Sequence, residues 1–314
     1  MLNRRHIRIK VMQLIYAYKN TEADNLRVPH AFLLKSIDDM YNLYLLMLSL
    51  LTEVHAKAED YLEKSQQKLL ATEADKNPNR KFVKNQLLLQ LANNKQLQEA
   101  LDKRKPNDWK LDSEYVDIIF KRIIDSDIYK TYMASKKTSY KDDRFFVLDV
   151  FKQIIAPNDK LYDYIEDYKL TWLDDLPVIN TTIVKLLKKA NPEVAESFFL
   201  PNLYKDEDDK QFAIDLFNKS ILNQNEYSQE IGKKTKNWDQ DRIAAIDGIL
   251  LRMAICELQN FPSIPVKVTM NEYLEIAKEY STPKSSVFIN GILDKMVHEF
   301  TENGKINKIG RGLM

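Results

Sequence analysis

Apolar residues recur along most of the chain at spacings of three and four, the period of a helix, rather than in strict alternation. Near the start, Ile7, Val11, Leu14, Ile15 and Tyr18 make one apolar helical face. Arg4, Arg5 and Arg8 stand at its beginning, on or beside the other faces, and Arg5 shares a side with Tyr16, about three turns on. Residues 31–64 read as a long helix or a helical pair, with Leu33, Leu34, Ile37, Met40, Tyr44, Met47, Leu48 and Leu51 in the apolar set. Residues 65–110 are poorer in apolar side chains and rich in Lys, Asn and Gln. Pro78 and Pro106 bracket a short helix there around Leu87 to Leu101, and the stretch is expected to be a mobile or variable insertion. Tyr115, Ile118, Ile119 and Ile123 place a further helix within 111–135.

A repeat follows at a fixed offset of 66. Asp142, Asp143, Phe146, Asp149, Phe151, Ile155, Ile165, Trp172 and Asp175 match Asp208, Asp209, Phe212, Asp215, Phe217, Ile221, Ile231, Trp238 and Asp241. Such an echo is either a reused helix pair or a chance match between two amphipathic pairs.

The last hundred residues have the clearest pattern. A helix from about Asp239 to Leu258 carries Ile243, Ile246, Leu250, Met253 and Ala254 on one face. Asp247 falls inside that apolar arc and Asp241 on the polar side, so Asp247 is either paired internally or aimed at a partner. After a loop stiffened by Pro262 and Pro265, a helix runs through Met270, Leu274, Ala277 and Tyr280. Thr282 and Pro283 are expected to cap and open the final helix, which buries Ile289, Ile292, Leu293, Met296 and Phe300. Gly291 within it is read as permitting close helix packing.

Composition supports an all-helical fold, because 6 Gly and 10 Pro in 314 residues leave little material for β-turns. The one cysteine, Cys256, forms no disulfide framework and fits a reducing compartment. No apolar run approaches about 18 residues, and the basic start leads into no secretory signal, so a cytoplasmic protein with no membrane span is expected. Net charge is only +1, but cations are clustered. Arg4, Arg5, Arg8 and Lys10 open the chain without an acid. Within 76–110, Lys76, Arg80, Lys81, Lys84, Lys95, Lys103, Arg104, Lys105 and Lys110 stand against Glu99, Asp102 and Asp108. Such clusters attract phosphate, or simply keep a surface solvated.

Motifs for catalysis are missing. The chain has no GxxxxGK[ST] loop, no GxGxxG and no GxSxG, and its four histidines lie at no metal-ligand spacing. Neither a catalytic residue, a metal site nor a cofactor is expected.

The segment from Arg4-Arg5-His6-Ile7-Arg8 to Gln13-Leu14-Ile15-Tyr16 resembles the arginine-rich first helix of the NusB family. Leu250-Leu251-Arg252-Met253-Ala254-Ile255-Cys256-Glu257-Leu258 is similar to that family's central C-terminal helix. Ile264-Pro265-Val266-Lys267-Val268 with Asn271-Glu272 resembles the next, and Phe288-Ile289-Asn290-Gly291-Ile292-Leu293 the last. The resemblance implies two packed helical bundles and a role in transcription antitermination. It implies binding to single-stranded boxA-type RNA of ribosomal leader transcripts together with NusE, a ribosomal small-subunit protein, on the elongating RNA polymerase.

Carried over residue by residue, it places RNA contacts at Arg4, Arg5, Arg8 and Lys10, and at Lys278, Tyr280, Lys284, Ser285 and Phe288. Tyr280 and Phe288 are either aromatic platforms or packing residues. Tyr16, Asp241 and Asp247 align with the NusE-facing surface. Residues 1–202 are expected to form an N-terminal helical part containing an insertion at about 65–200, residues 203–302 the C-terminal bundle, and 303–314 a basic flexible tail. His6 stands where relatives often carry another arginine. The competing reading is a protein–protein scaffold of the same fold without RNA binding, which burial of the Arg4–Arg8 face would favour. An RNA methyltransferase with such a domain would need a cofactor-binding α/β domain that the chain does not contain.

Overall fold

The computed structural model describes residues 1–18, 27–68, 70, 72–106, 109–235 and 244–313. Among these the structure is all-α, with no strand, and no helix is long and apolar enough to cross a membrane. The chain divides into two compact units. One comprises residues 38–203 with Met1, and the other residues 2–37 with 204–314. One boundary falls near 203, and the N-terminal helix belongs with the residues beyond it. It completes the C-terminal bundle, because its apolar side chains are buried there.

Helix α1 (Arg4–Ala17) starts at Asn3, whose side chain accepts the His6 N–H and satisfies one of the orphan donors of the first turn. Ile7, Val11, Leu14 and Ile15 are buried as their spacing predicts. Ile9 and Met12 are buried as well, so α1 is covered on nearly every side and is no single-stripe surface helix.

Helix α2 (Arg27–Gln66) is one 40-residue helix rather than a pair. Leu33 and Ile37 lie in the second unit and the remainder in the first, where Leu43 to Met47 are buried all round. The stretch expected to be mobile holds α3 (Glu73–Lys76), α4 (Gln86–Ala92) and α5 (Lys95–Arg104). Leu87, Leu88, Leu91 and Leu97 anchor α4 and α5 in the core of the first unit. Two of its cations are tied to the unit: Lys81 Nζ donates to the Tyr132 and Ser135 carbonyls, and Arg104 pairs at the surface with Asp38 at 3.0 Å. The segment at 111–135 is two helices, α6 (Ser113–Asp125) and α7 (Asp127–Ala134), broken at Ser126, which caps the second by accepting the Tyr129 N–H.

The echo at offset 66 has a structural counterpart. Helix α8 (Tyr140–Val150) continues as a π-turn over Phe151–Ile155 and is followed by α9 (Asp159–Tyr168) and α10 (Leu176–Lys189). The second unit presents α11 (Glu207–Leu222), α12 (Gln224–Lys234) and α13 (Ala245–Asn260) in the same order. Matched Phe146 and Phe212, Phe151 and Phe217, and Ile165 and Ile231 are buried in their own units. Even the acids Asp143 and Asp209 are buried in both. Trp238, Asp241 and Ile243 lie outside the described residues.

The second unit closes with α14 (Val266–Tyr280) and α15 (Ser285–Glu302). Helix α15 ends where Gly304, at φ +65°, lets the Lys305 N–H return to the Phe300 carbonyl at 2.8 Å. The segment expected to be a flexible tail instead lies against the loop after α13. Ile309 N–H bonds to the Pro262 carbonyl at 3.1 Å, and Lys308 Nζ reaches the Phe261 carbonyl at 3.0 Å.

Candidate nucleic-acid interface

Three arginines enter the second unit on α1, and each meets a carboxylate. Arg4 Nε bonds Asp209 on α11 at 2.9 Å. Arg5 makes a two-pronged pair with Glu272 on α14, both bonds 2.9 Å, and this bonding raises its pKa. Arg8 forms the same fork with Glu257 on α13, at 2.8 and 2.6 Å. The two differ in setting. Arg4 and Arg5 side chains retain 38% exposure, whereas Arg8 is 2% exposed and Glu257 fully buried. Burial works against the Arg8 charge, but Glu257 outweighs it and the pKa is raised. The Arg8 guanidinium also lies 5.3 Å from the Phe212 ring centre, and Glu257 accepts hydroxyl bonds from Thr269 and Tyr273.

Two of the expected phosphate contacts are therefore corrected. Arg8 is an internal counter-ion, and Lys10 is buried too, at 4% exposure. Glu257 supplies the reason for Arg8, since an acid inside a hydrophobic helix requires a cation. Arg4 and Arg5 keep part of their side chains at the surface, Arg4 paired with the buried Asp209 and Arg5 with the partly exposed Glu272. Cys256, beside Glu257, is fully buried, and burial pushes its thiol up to about 11. Iodoacetamide at about pH 8 is expected to label native protein far more slowly than urea-unfolded protein, and equal rates would contradict this packing.

The second group of expected contacts surrounds the turn between α14 and α15. Asp247 on α13 is buried, and its oxygens accept the Ser281 hydroxyl at 2.6 Å and the Ser285 hydroxyl at 2.8 Å. It thus resolves to internal pairing, and the turn is seated on it. Ser285 is buried and so is corrected from an RNA contact to a positioning residue. Helix α15 begins at Ser285 with Lys284 preceding it, not at Thr282. The Ser285 hydroxyl instead accepts the Thr282 N–H at 3.2 Å.

Outside this seat, Lys284 and Lys278 are exposed, the latter paired with Glu275 at 2.6 Å. Tyr280 and Phe288 are half-buried, between the two alternatives read from sequence. Phe288 and the exposed Val287 line a groove with Ile292 and Gly291, rimmed by Lys234, Lys284 and Lys295. A Cβ on Gly291 would meet nothing within 4 Å, so this glycine opens onto the groove and does not serve close helix packing. Lys234 and Lys295 were not among the residues expected from sequence. Lys295 sits on a helix whose apolar stripe dominated the pattern, and Lys234, which pairs with Glu299, sits on a mostly polar helix. Tyr16 is exposed on α1 at 55%, and Asp241 lies outside the described residues.

Comparison with known proteins bears on the same unit. The NusB family model matches residues 178–298, from within α10 to near the end of α15. The chain is 44% identical over 112 residues to the transcription antitermination protein NusB of Salinibacter ruber, covering 36% of this chain and 70% of that protein. For the protein of that name from Koribacter versatilis the identity is 36% over 118 residues, covering 38% and 81%. For that of Chloroherpeton thalassium it is 39% over 127 residues, covering 40% and 60%. No solved structure gives a significant match. With an all-helical unit that carries the family's segments in order, and relatives at this identity over most of their own length, the chain belongs to the NusB family.

Proposed function

We propose that the chain is a non-enzymatic transcription antitermination factor that binds single-stranded boxA-type RNA together with NusE in the elongating polymerase complex. The observation that carries this reading is the groove at the start of α15. Lysines stand around an apolar and aromatic floor, which suits unpaired RNA, whose phosphates seek cations and whose bases stack. Arg4 and Arg5 supply a second cationic point on the same unit. Burial of the Arg4–Arg8 face would favour the scaffold reading, and it is only partial: Arg8 is buried, whereas the Arg4 and Arg5 side chains keep 38% exposure. Tyr16 is proposed as the NusE-facing residue of α1.

The test is a salt titration of binding to a boxA-like RNA, with and without NusE. Wild type is expected to bind more weakly as salt rises, and more tightly with NusE. Arg4→Ala with Arg5→Ala is expected to weaken binding and to flatten the log–log salt slope by about 1.4, two single-strand phosphate contacts. A folded wild-type protein that binds under neither condition would sink the RNA role and leave the scaffold.

A further inference from the structure

Helix α15 has two apolar faces, and the fold needs only one of them. Ile289, Leu293, Met296 and Phe300 are fully buried in the second unit. Val287, Phe288, Gly291 and Ile292 recur at three- and four-residue spacing on an adjoining stripe, which borders the groove. Lys284 lies one turn before that stripe and Lys295 one turn after it, so a short apolar floor has a cation at each end. The outward side of a surface helix is ordinarily polar, but Val287 is 75% exposed there. Nearby acids are already engaged. Asp247 accepts the Ser281 and Ser285 hydroxyls, Asp294 accepts the Asn290 amide at 2.9 Å, and Glu299 pairs with Lys234.

Gly291 stands in the middle of this floor. Within a helix, only proline is less favourable than glycine. Other glycines of this unit have local reasons: Gly304 and Gly310 take positive φ, and a Cβ on Gly312 would collide with the Pro262 carbonyl. Gly291 is helical, and a Cβ there would meet no neighbour. Neither backbone conformation nor packing within the protein calls for it. What a side chain at 291 would fill is the groove itself, whose volume of about 510 Å³ is that of a ligand cleft.

We infer that Gly291 is a specificity-determining residue of the groove: the gap left by its missing side chain, flanked by Val287, Phe288 and Ile292, seats one unpaired base of the RNA. The occupant being RNA rests on the proposed function, and a side chain of a protein partner is the occupant that the test separates from it.

Full-length Gly291→Ala and Gly291→Leu are compared with wild type in thermal unfolding and in titration with a boxA-like RNA. Alanine is the better helix former and meets no neighbour, so Gly291→Ala is expected to raise the thermal midpoint by about 2 °C. The same variant is expected to bind RNA about threefold more weakly, and Gly291→Leu about tenfold more weakly, because their side chains occupy the seat. The log–log salt slope stays at the wild-type value, since no phosphate contact is lost. Single abasic substitutions along the RNA identify the base: at one position wild type loses affinity and Gly291→Leu loses no more than it already has. Wild-type RNA affinity of Gly291→Leu overturns the inference and leaves the RNA reading standing. So do losses from leucine and from abasic substitution that add at every position, because leucine then displaces no base. If wild type binds no RNA and Gly291→Leu instead loses NusE, the groove seats a protein and both readings fall.

Discussion

Replacing Arg8 by Ala is expected to destabilise the unit formed by 2–37 and 204–314 by about 3–5 kcal/mol, because it strands a fully buried Glu257 carboxylate. At about 2–4 °C per kcal/mol for a unit of this size, the thermal midpoint should fall by roughly 10 °C. Glu257→Gln is expected to cost less, since the guanidinium keeps Glu272 at 3.6 Å as a second counter-charge and the amide oxygen can still accept a hydrogen bond. Arg8→Met combined with Glu257→Leu should recover only part of the loss, because removing both ions removes their desolvation cost but leaves the buried Thr269 and Tyr273 hydroxyls without their acceptor. Thermal and urea unfolding of the three variants checks this. A loss below about 1 kcal/mol for Arg8→Ala would mean that the pair is solvated and that Arg8 is available to RNA after all.

Removal of the Asp247 carboxylate should show the second large effect. Asp247→Ala leaves the Ser281 and Ser285 hydroxyls without their acceptor, at a cost of about 2 kcal/mol. The turn that they hold carries Lys284 and leads to Phe288, so RNA affinity is expected to fall about tenfold, beyond what lost stability explains. Asp247→Asn can still accept one of the two hydroxyl bonds and should retain most binding. If Asp247→Ala binds RNA at the wild-type level while NusE no longer strengthens that binding, Asp247 belongs to the protein interface expected from the family and not to the seat of the turn.

Helix positions and their apolar faces were legible in the sequence because period is a local property. Ile7, Val11 and Leu14 recur within one helix, and so do Ile289, Leu293 and Met296. Pairings across the chain were not legible. Arg8 looked like its neighbours Arg4 and Arg5 at a helix start, and only the position of Glu257, 249 residues away, separates them. A signal did exist, since Glu257 interrupts the apolar run from Met253 to Leu258, as Asp247 interrupts its own arc. The basic 76–110 stretch misled in a similar way. Its charge gave no sign that Lys81 caps a neighbouring turn while Arg80 and Lys84 project outward. The division into units escaped for the same reason: α1 is adjacent in sequence to α2 but completes a core made of residues beyond 204.

That separation sets a timetable for biosynthesis. At about 5–20 residues per second, the ribosome makes Glu257 roughly 10–50 s after Arg8. For most of that interval the apolar residues Ile7, Val11, Leu14 and Ile15 have been made, but the helices they pack against, α11 and α13, have not. The intervening 38–203 unit is complete first and can fold while the N-terminal helix waits. The nascent chain thus carries a greasy, arginine-tipped segment that a holdase chaperone would recognise, and a circular permutant moving residues 2–18 beyond the C-terminal end, with α2 left whole, would release it from that dependence.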